Sequence, residues 1–180
     1  IIYIIIHDPI ILSIKHLIID KFFVLSPAND NSYELLVVGT CYLADEHLAN
    51  QALTAATQGF ATWATTDVLE RAQCLNKMAD LMEENIYELI YLCIKEAGKT
   101  IANAIAEVRE AVDFCRYYAN EAINSMSTDE FLPGPTGELN KMGLYPKGVF
   151  VCISPWNFPL AIFIGQVVAA LVTGNTVIAK

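Results

Sequence analysis

The chain has 180 residues, 54% of them apolar, with 11 basic against 20 acidic side chains and a net charge of -9. That is enough apolar material for one sizeable core. The acidic balance, with no basic stripe, excludes a nucleic-acid surface, which needs clustered Lys and Arg.

Five cysteines (Cys41, Cys74, Cys93, Cys115, Cys152) are widely spaced and odd in number, with no Cys-x-x-Cys. The three histidines, His7, His16 and His47, form no helical pair. No disulfide framework and no metal site is expected, and a reducing cytosolic setting fits best.

Residues 1–25 form an unassigned, isoleucine-rich extension, interrupted by His7, Asp8, Lys15, His16, Asp20 and Lys21. No uninterrupted apolar run there reaches the ~20 residues of a membrane helix, and the order of a signal peptide is missing. A short strand-rich extension and a mistranslated or rearranged segment both remain open. Ile at position 1 and the stop at Lys180 within an expected strand read as the cut ends of a larger protein. The cluster at residues 26–32 signals a turn, and residues 35–42 read as a strand containing Gly39.

Three helices follow. The first starts at Asp45, with Leu48, Ala52, Ala56, Phe60 and Trp63 at helical spacing. The second runs over residues 67–97 with a break expected at Asn85. Its buried stripe is Leu69, Ala72, Leu75, Ala79, Met82, Ile86, Leu89 and Cys93, and Gly98 is its left-handed C-cap. Thr100 caps the third, with Ile101, Ile105, Val108, Val112, Cys115, Ala119 and Ile123 inward. Glu107, Arg109, Glu110 and Asp113 are assigned mostly to its solvent face. Residues 125–140 read as a loop and residues 141–145 as a strand outside the main core.

No charged residue separates Lys147 from Lys180, yet a membrane span is not expected, because Pro155, Pro159 and Gly174-Asn175 punctuate the run. The pieces are a strand (149–153), a helix (159–173) and a second strand (176–180). This is a β-α-β unit whose parallel strands are covered on both faces and whose crossover is right-handed. Pro159 suits a first helical turn, and Gly165 with Ala161, Ala169 and Ala170 allows close packing on the sheet. Neither a Gly-rich dinucleotide fingerprint nor a phosphate loop is present. Asn157 stands at the strand-to-helix junction between two prolines, where an amide satisfies a turn backbone or serves as an oxyanion donor.

The stretch Val149-Phe150-Val151-Cys152-Ile153-Ser154-Pro155-Trp156-Asn157-Phe158-Pro159-Leu160-Ala161, followed by Gly174-Asn175-Thr176-Val177-Ile178-Ala179-Lys180, resembles the aldehyde dehydrogenase superfamily. Lys95-Glu96-Ala97-Gly98-Lys99-Thr100 and residues 103–114 are most similar to the glutamate-semialdehyde (pyrroline-5-carboxylate) dehydrogenase module of bacterial proline utilization A. The resemblance covers residues 26–180. It implies an α/β fold, namely the N-terminal portion of an aldehyde-dehydrogenase-like fold, with helices and the start of a doubly wound parallel sheet, truncated. Residues 26–180 would be an incomplete cofactor-binding domain, with an early hairpin packed on it.

The resemblance further implies NAD as cofactor and a small-molecule aldehyde as substrate, with no nucleic acid, no transmembrane span and a homo-oligomeric parent. That parent would be bacterial and cytoplasmic, and peripheral to the inner membrane if fused to a proline dehydrogenase domain. Asn157 would supply an oxyanion-hole amide. Ile153, Ser154, Pro155, Trp156 and Asn157 would line the cofactor cleft, and Lys180 would bind the adenosine ribose. Trp156 suits cleft lining and core packing equally. Cys152, inside an apolar strand, is expected to be inert. The family's nucleophilic cysteine and general-base glutamate fall beyond position 180, so independent catalysis is in doubt. The function implied is oxidation of L-glutamate γ-semialdehyde by part of an NAD-dependent dehydrogenase of proline catabolism. The alternatives are another NAD(P)-dependent aldehyde dehydrogenase and a non-catalytic truncated remnant or interaction module.

Overall fold

The structure, a computed structural model, describes residues 20–25 and 37–180, with side chains from residue 44 onward. The expected turn at residues 26–32 and most of the isoleucine-rich extension lie outside the described residues. Within that extension, Asp20–Leu25 forms strand β1, antiparallel to β2 (Val37–Leu43), with a register shift at Leu25.

Helix α1 (Glu46–Trp63) begins where Asp45 Oδ1 accepts the Leu48 N–H at 2.8 Å. Only Trp63 in α1 is buried, at 9% exposure, and its indole donates to the Leu171 carbonyl at 2.8 Å. Helices α2 (Val68–Glu84) and α3 (Ile86–Ala97) meet at Asn85, the expected break. There the Asn85 side-chain amide donates to the Leu81 carbonyl at 2.7 Å, competing with the helical ladder. Gly98 ends α3 at φ 65°, a left-handed conformation that costs glycine no Cβ clash. Thr100 caps α4 (Ile101–Met126) by accepting the Asn103 N–H at 3.2 Å.

Helices α2 and α4 keep most of the expected inward stripe and depart from it near their N-termini. Periodicity assigns Leu69 to the α2 core, but Leu69 is exposed and Val68 is buried in its place. The other expected positions, Ala72, Leu75, Ala79 and Met82, are buried, so the correction is confined to the first turn after the Asp67 cap. In α4, the expected Val108, Val112, Cys115 and Ala119 are buried and Ile123 packs against the core, but Ile101 and Ile105 are exposed while Ala104, Ala111 and Ala122 are buried. Side-chain size points to the isoleucines, whereas close helix packing selects the alanines. Glu107 falls on this inward line and is buried, not on the solvent face.

After Met126 the chain forms an antiparallel hairpin of β3 (Glu130–Leu132) and β4 (Asn140–Met142). Residues 125–140 are therefore not one loop: α4 takes the first two and β3 occupies the middle. The hairpin's apolar side chains Phe131, Leu132 and Met142 are exposed, so burial gives no strand signal.

The last third forms β5 (Val149–Cys152), α5 (Ala161–Val172) and β6 (Thr176–Ala179). The strands are parallel, in register from Val149 opposite Thr176 to Cys152 opposite Ala179. Helix α5 starts two residues after Pro159, because residues 156–160 form a turn. Gly165 does permit close packing, but against α4 rather than the sheet: a Cβ there would lie 3.1 Å from the Phe114 ring. The core lies among α2, α4 and α5. Among the described residues, no helix is long and apolar enough to cross a membrane.

Candidate functional site

Two distant parts of the sequence converge at the carboxyl ends of β5 and β6. The Lys180 N–H donates to the Cys152 carbonyl at 2.8 Å, and the Ser154 N–H and hydroxyl each approach the Lys180 carbonyl at 3.4 Å. Ser154 and Lys180, both expected at the cofactor cleft, are therefore side by side. This end of an open parallel sheet is where α/β folds bind ligands.

The chain then projects outward. Ile153 is 59% and Trp156 85% exposed, so Trp156 is not core packing. Asn157 is also exposed, and its amide engages no other described residue. The cleft that Asn157 is expected to face is not enclosed by the described residues. Two surface hollows lie elsewhere, one along α4 at Arg109, Glu110, Asp113, Phe114 and Tyr117, the other along α1 at His47, Gln51 and Thr54.

Beneath the turn sits a buried polar cluster. Leu160, the N-cap of α5, provides no side-chain cap. Glu107 replaces it from α4: its Oε1 accepts the Leu160 N–H at 2.9 Å and the Ala161 N–H at 3.3 Å. A carboxylate is favoured there by the unsatisfied N–H groups and the positive end of the helix dipole. Lys99 Nζ lies 2.5 Å from Glu107 Oε2 and 4.0 Å from the Phe158 ring centre. Lys99 enters from the short link between the Gly98 and Thr100 caps. Charge alone assigns Glu107 to solvent; the missed signal is its position, three residues after Ala104 and four before Ala111.

The opposite end of α5 is also held. The Arg71 guanidinium donates to the Val172 carbonyl at 2.8 Å and to the Thr66 carbonyl. Buried Asn175 accepts the Lys147 N–H at 2.5 Å and the Gly148 N–H at 2.9 Å, and donates to the Thr173 hydroxyl at 2.9 Å. These bonds fix the entry to β5 against the turn before β6.

Burial pushes the Cys152 thiol up from its ordinary range, leaving it un-ionised and unsuited to attack. Burial likewise raises Cys93 to about 11 and Cys115 to about 12. No group of His, Cys, Asp or Glu among the described residues could hold a metal ion. The donor set at the sheet edge is a lysine ammonium, a serine hydroxyl and an exposed amide beside apolar Ile153, Pro155 and Trp156. Such a set can hydrogen-bond a sugar diol and cover a planar ring.

Comparison with known proteins agrees with this architecture. A model of the aldehyde dehydrogenase family matches residues 20–180. The bifunctional protein PutA of Escherichia coli is 45% identical over 157 residues, covering 87% of this chain and 11% of that protein. 1-Pyrroline-5-carboxylate dehydrogenase 1 of Halalkalibacterium halodurans is 40% identical over 161 residues, covering 89% of this chain and 30% of that protein. A Thermus 1-pyrroline-5-carboxylate dehydrogenase solved with bound NAD superimposes with a TM-score of 0.80 at 39% identity, over 89% of this chain and 30% of that one. The chain thus spans less than a third of the length of these relatives.

Proposed function

The chain belongs to the aldehyde dehydrogenase family, and we propose that it contributes the first part of the cofactor and oxyanion site of an NAD-dependent L-glutamate γ-semialdehyde dehydrogenase. The observation that carries this reading is the convergence of the Asn157 turn and Lys180 at one end of the β5–β6 pair, in a chain 45% identical to PutA. The identities to pyrroline-5-carboxylate dehydrogenases support the choice of substrate.

Asn157 supplies an amide N–H to the aldehyde oxygen as that oxygen gains charge. A donor already aimed at the developing charge lowers the barrier without reorganising. The exposed amide, with no competing partner in the described residues, is available for that bond. Lys180 and Ser154 hold hydroxyl groups of NAD, while Ile153, Pro155 and Trp156 cover its apolar faces. NAD, when bound, supplies the hydride acceptor. The active protein is a cytoplasmic homo-oligomer in this reading.

The test is Asn157→Ala in the full-length dehydrogenase carrying this segment. Removal of one such donor lowers kcat by about 10²–10³, with NAD affinity little changed. Near-normal turnover refutes the assignment. In a panel of aldehydes, faster oxidation of a substrate other than glutamate semialdehyde overturns the substrate choice while leaving the family intact.

A further inference from the structure

We propose that Glu107, held by Lys99, is the positioning residue that aims Asn157. This rests on the reading of Asn157 as the oxyanion donor. The turn carrying Asn157 is short and restrained at both ends. On one side, Ser154 contacts the Lys180 carbonyl, and Pro155 restricts the next bond. On the other, Pro159 precedes Leu160, whose N–H is held by Glu107 Oε1 at 2.9 Å. Only Phe158 and Pro159 separate Asn157 from this anchor. A shift at Leu160 must therefore pass into the amide.

The anchor is buried and charged. Glu107 is 1% exposed, and α4 carries it into the core rather than to solvent. Taking a carboxylate out of water is costly unless it is fully paired. Its two oxygens have separate partners. Oε1 accepts the Leu160 and Ala161 N–H groups, whereas Oε2 makes no hydrogen bond among the described residues and is compensated by the charge of Lys99, whose Nζ lies 2.5 Å away. Lys99 also lies over the ring of Phe158, the residue after Asn157, at 4.0 Å. One ion pair thus grips the turn at two points, Phe158 and Leu160. An ordinary N-cap serine at position 160 would satisfy the helix end but would not tie it to α4.

The experiment is a double-mutant cycle in the full-length dehydrogenase, with Glu107→Gln, Glu107→Ala, Asn157→Ala and the combination of Glu107→Ala with Asn157→Ala. Misplacement of about 1 Å costs up to ~10²-fold. Glu107→Ala is expected to lower kcat by about 10–100-fold with NAD affinity within about twofold of wild type, and Glu107→Gln, which keeps an acceptor for Leu160, falls less. Because Glu107 acts through Asn157, the double variant is no slower than Asn157→Ala alone. Multiplying losses, or full kcat in Glu107→Ala, overturns the proposal. If Asn157→Ala itself turns over normally, the oxyanion reading fails, and with it the role of Glu107 in aiming a catalytic donor. Amide exchange at Leu160 and Ala161 separates that result from failure of the anchor: faster exchange in Glu107→Ala shows that Glu107 anchors the turn, and unchanged exchange overturns the anchor as well.

Discussion

Asn175 is buried and holds three hydrogen bonds. Asn175→Ala leaves the Lys147 and Gly148 N–H groups without their acceptor, and each orphaned buried donor costs about 1–3 kcal/mol. The predicted loss is about 2–4 kcal/mol, read as a lower urea midpoint with an unchanged slope. Wild-type stability in this variant shows that the two N–H groups find other acceptors. Asn175 was legible in the sequence only as punctuation between a helix and a strand, because its partners lie 28 and 27 residues away. Glu107 shows the same limit, since its partner at Leu160 is 53 residues distant. Asn157 is the contrasting case. Its place at a strand-to-helix turn was legible from the flanking prolines, whereas the opposite wall of its cleft depends on surfaces that local sequence does not encode.

At the level of elements, the strand–helix–strand unit and the break at Asn85 were readable because proline, glycine and asparagine act locally on the backbone. Most of the inward stripe of α2 and α4 was readable as well; the exposure of Leu69, Ile101 and Ile105 was not, because it depends on which face a neighbouring helix covers. Gly165 joins the two cases: glycine in a helix predicts close approach, but only the fold identifies the approaching ring as Phe114. Gly165→Val inserts branched carbon where even a Cβ would sit 3.1 Å from that ring. Phe114 must then rotate or α5 must move away from α4. The expected cost is about 1–3 kcal/mol of overpacking, seen as a fall in thermal midpoint. Pairing Gly165→Val with Phe114→Leu removes ring atoms and should recover part of the loss. A Gly165→Val variant as stable as wild type shows that the α4–α5 contact yields to the added methyl groups without cost.

Across the whole molecule, the polar networks and the apolar surface pull in different directions. Both ends of α5 are tied down by residues from elsewhere in the fold, Glu107 at its start and Arg71 with Trp63 at its end. The β5–β6 sheet has no such completeness. A parallel sheet is normally covered on both faces, yet Phe150, Val151 and Ile153 are exposed, Val151 by 63%. Exposed strand edges beside apolar side chains recruit other chains. The 180 residues expressed alone are therefore expected to elute above their 19.9 kDa mass in size-exclusion chromatography and to bind an apolar dye. Val151→Lys places a charge on that face without entering the core, so the soluble monomeric fraction should rise while helix content by circular dichroism stays constant. A single monomeric peak for the unaltered chain would show that the open sheet face is covered in solution. An unchanged elution profile for Val151→Lys would instead move the source of association to another exposed apolar surface, such as the β3–β4 hairpin with Phe131, Leu132 and Met142.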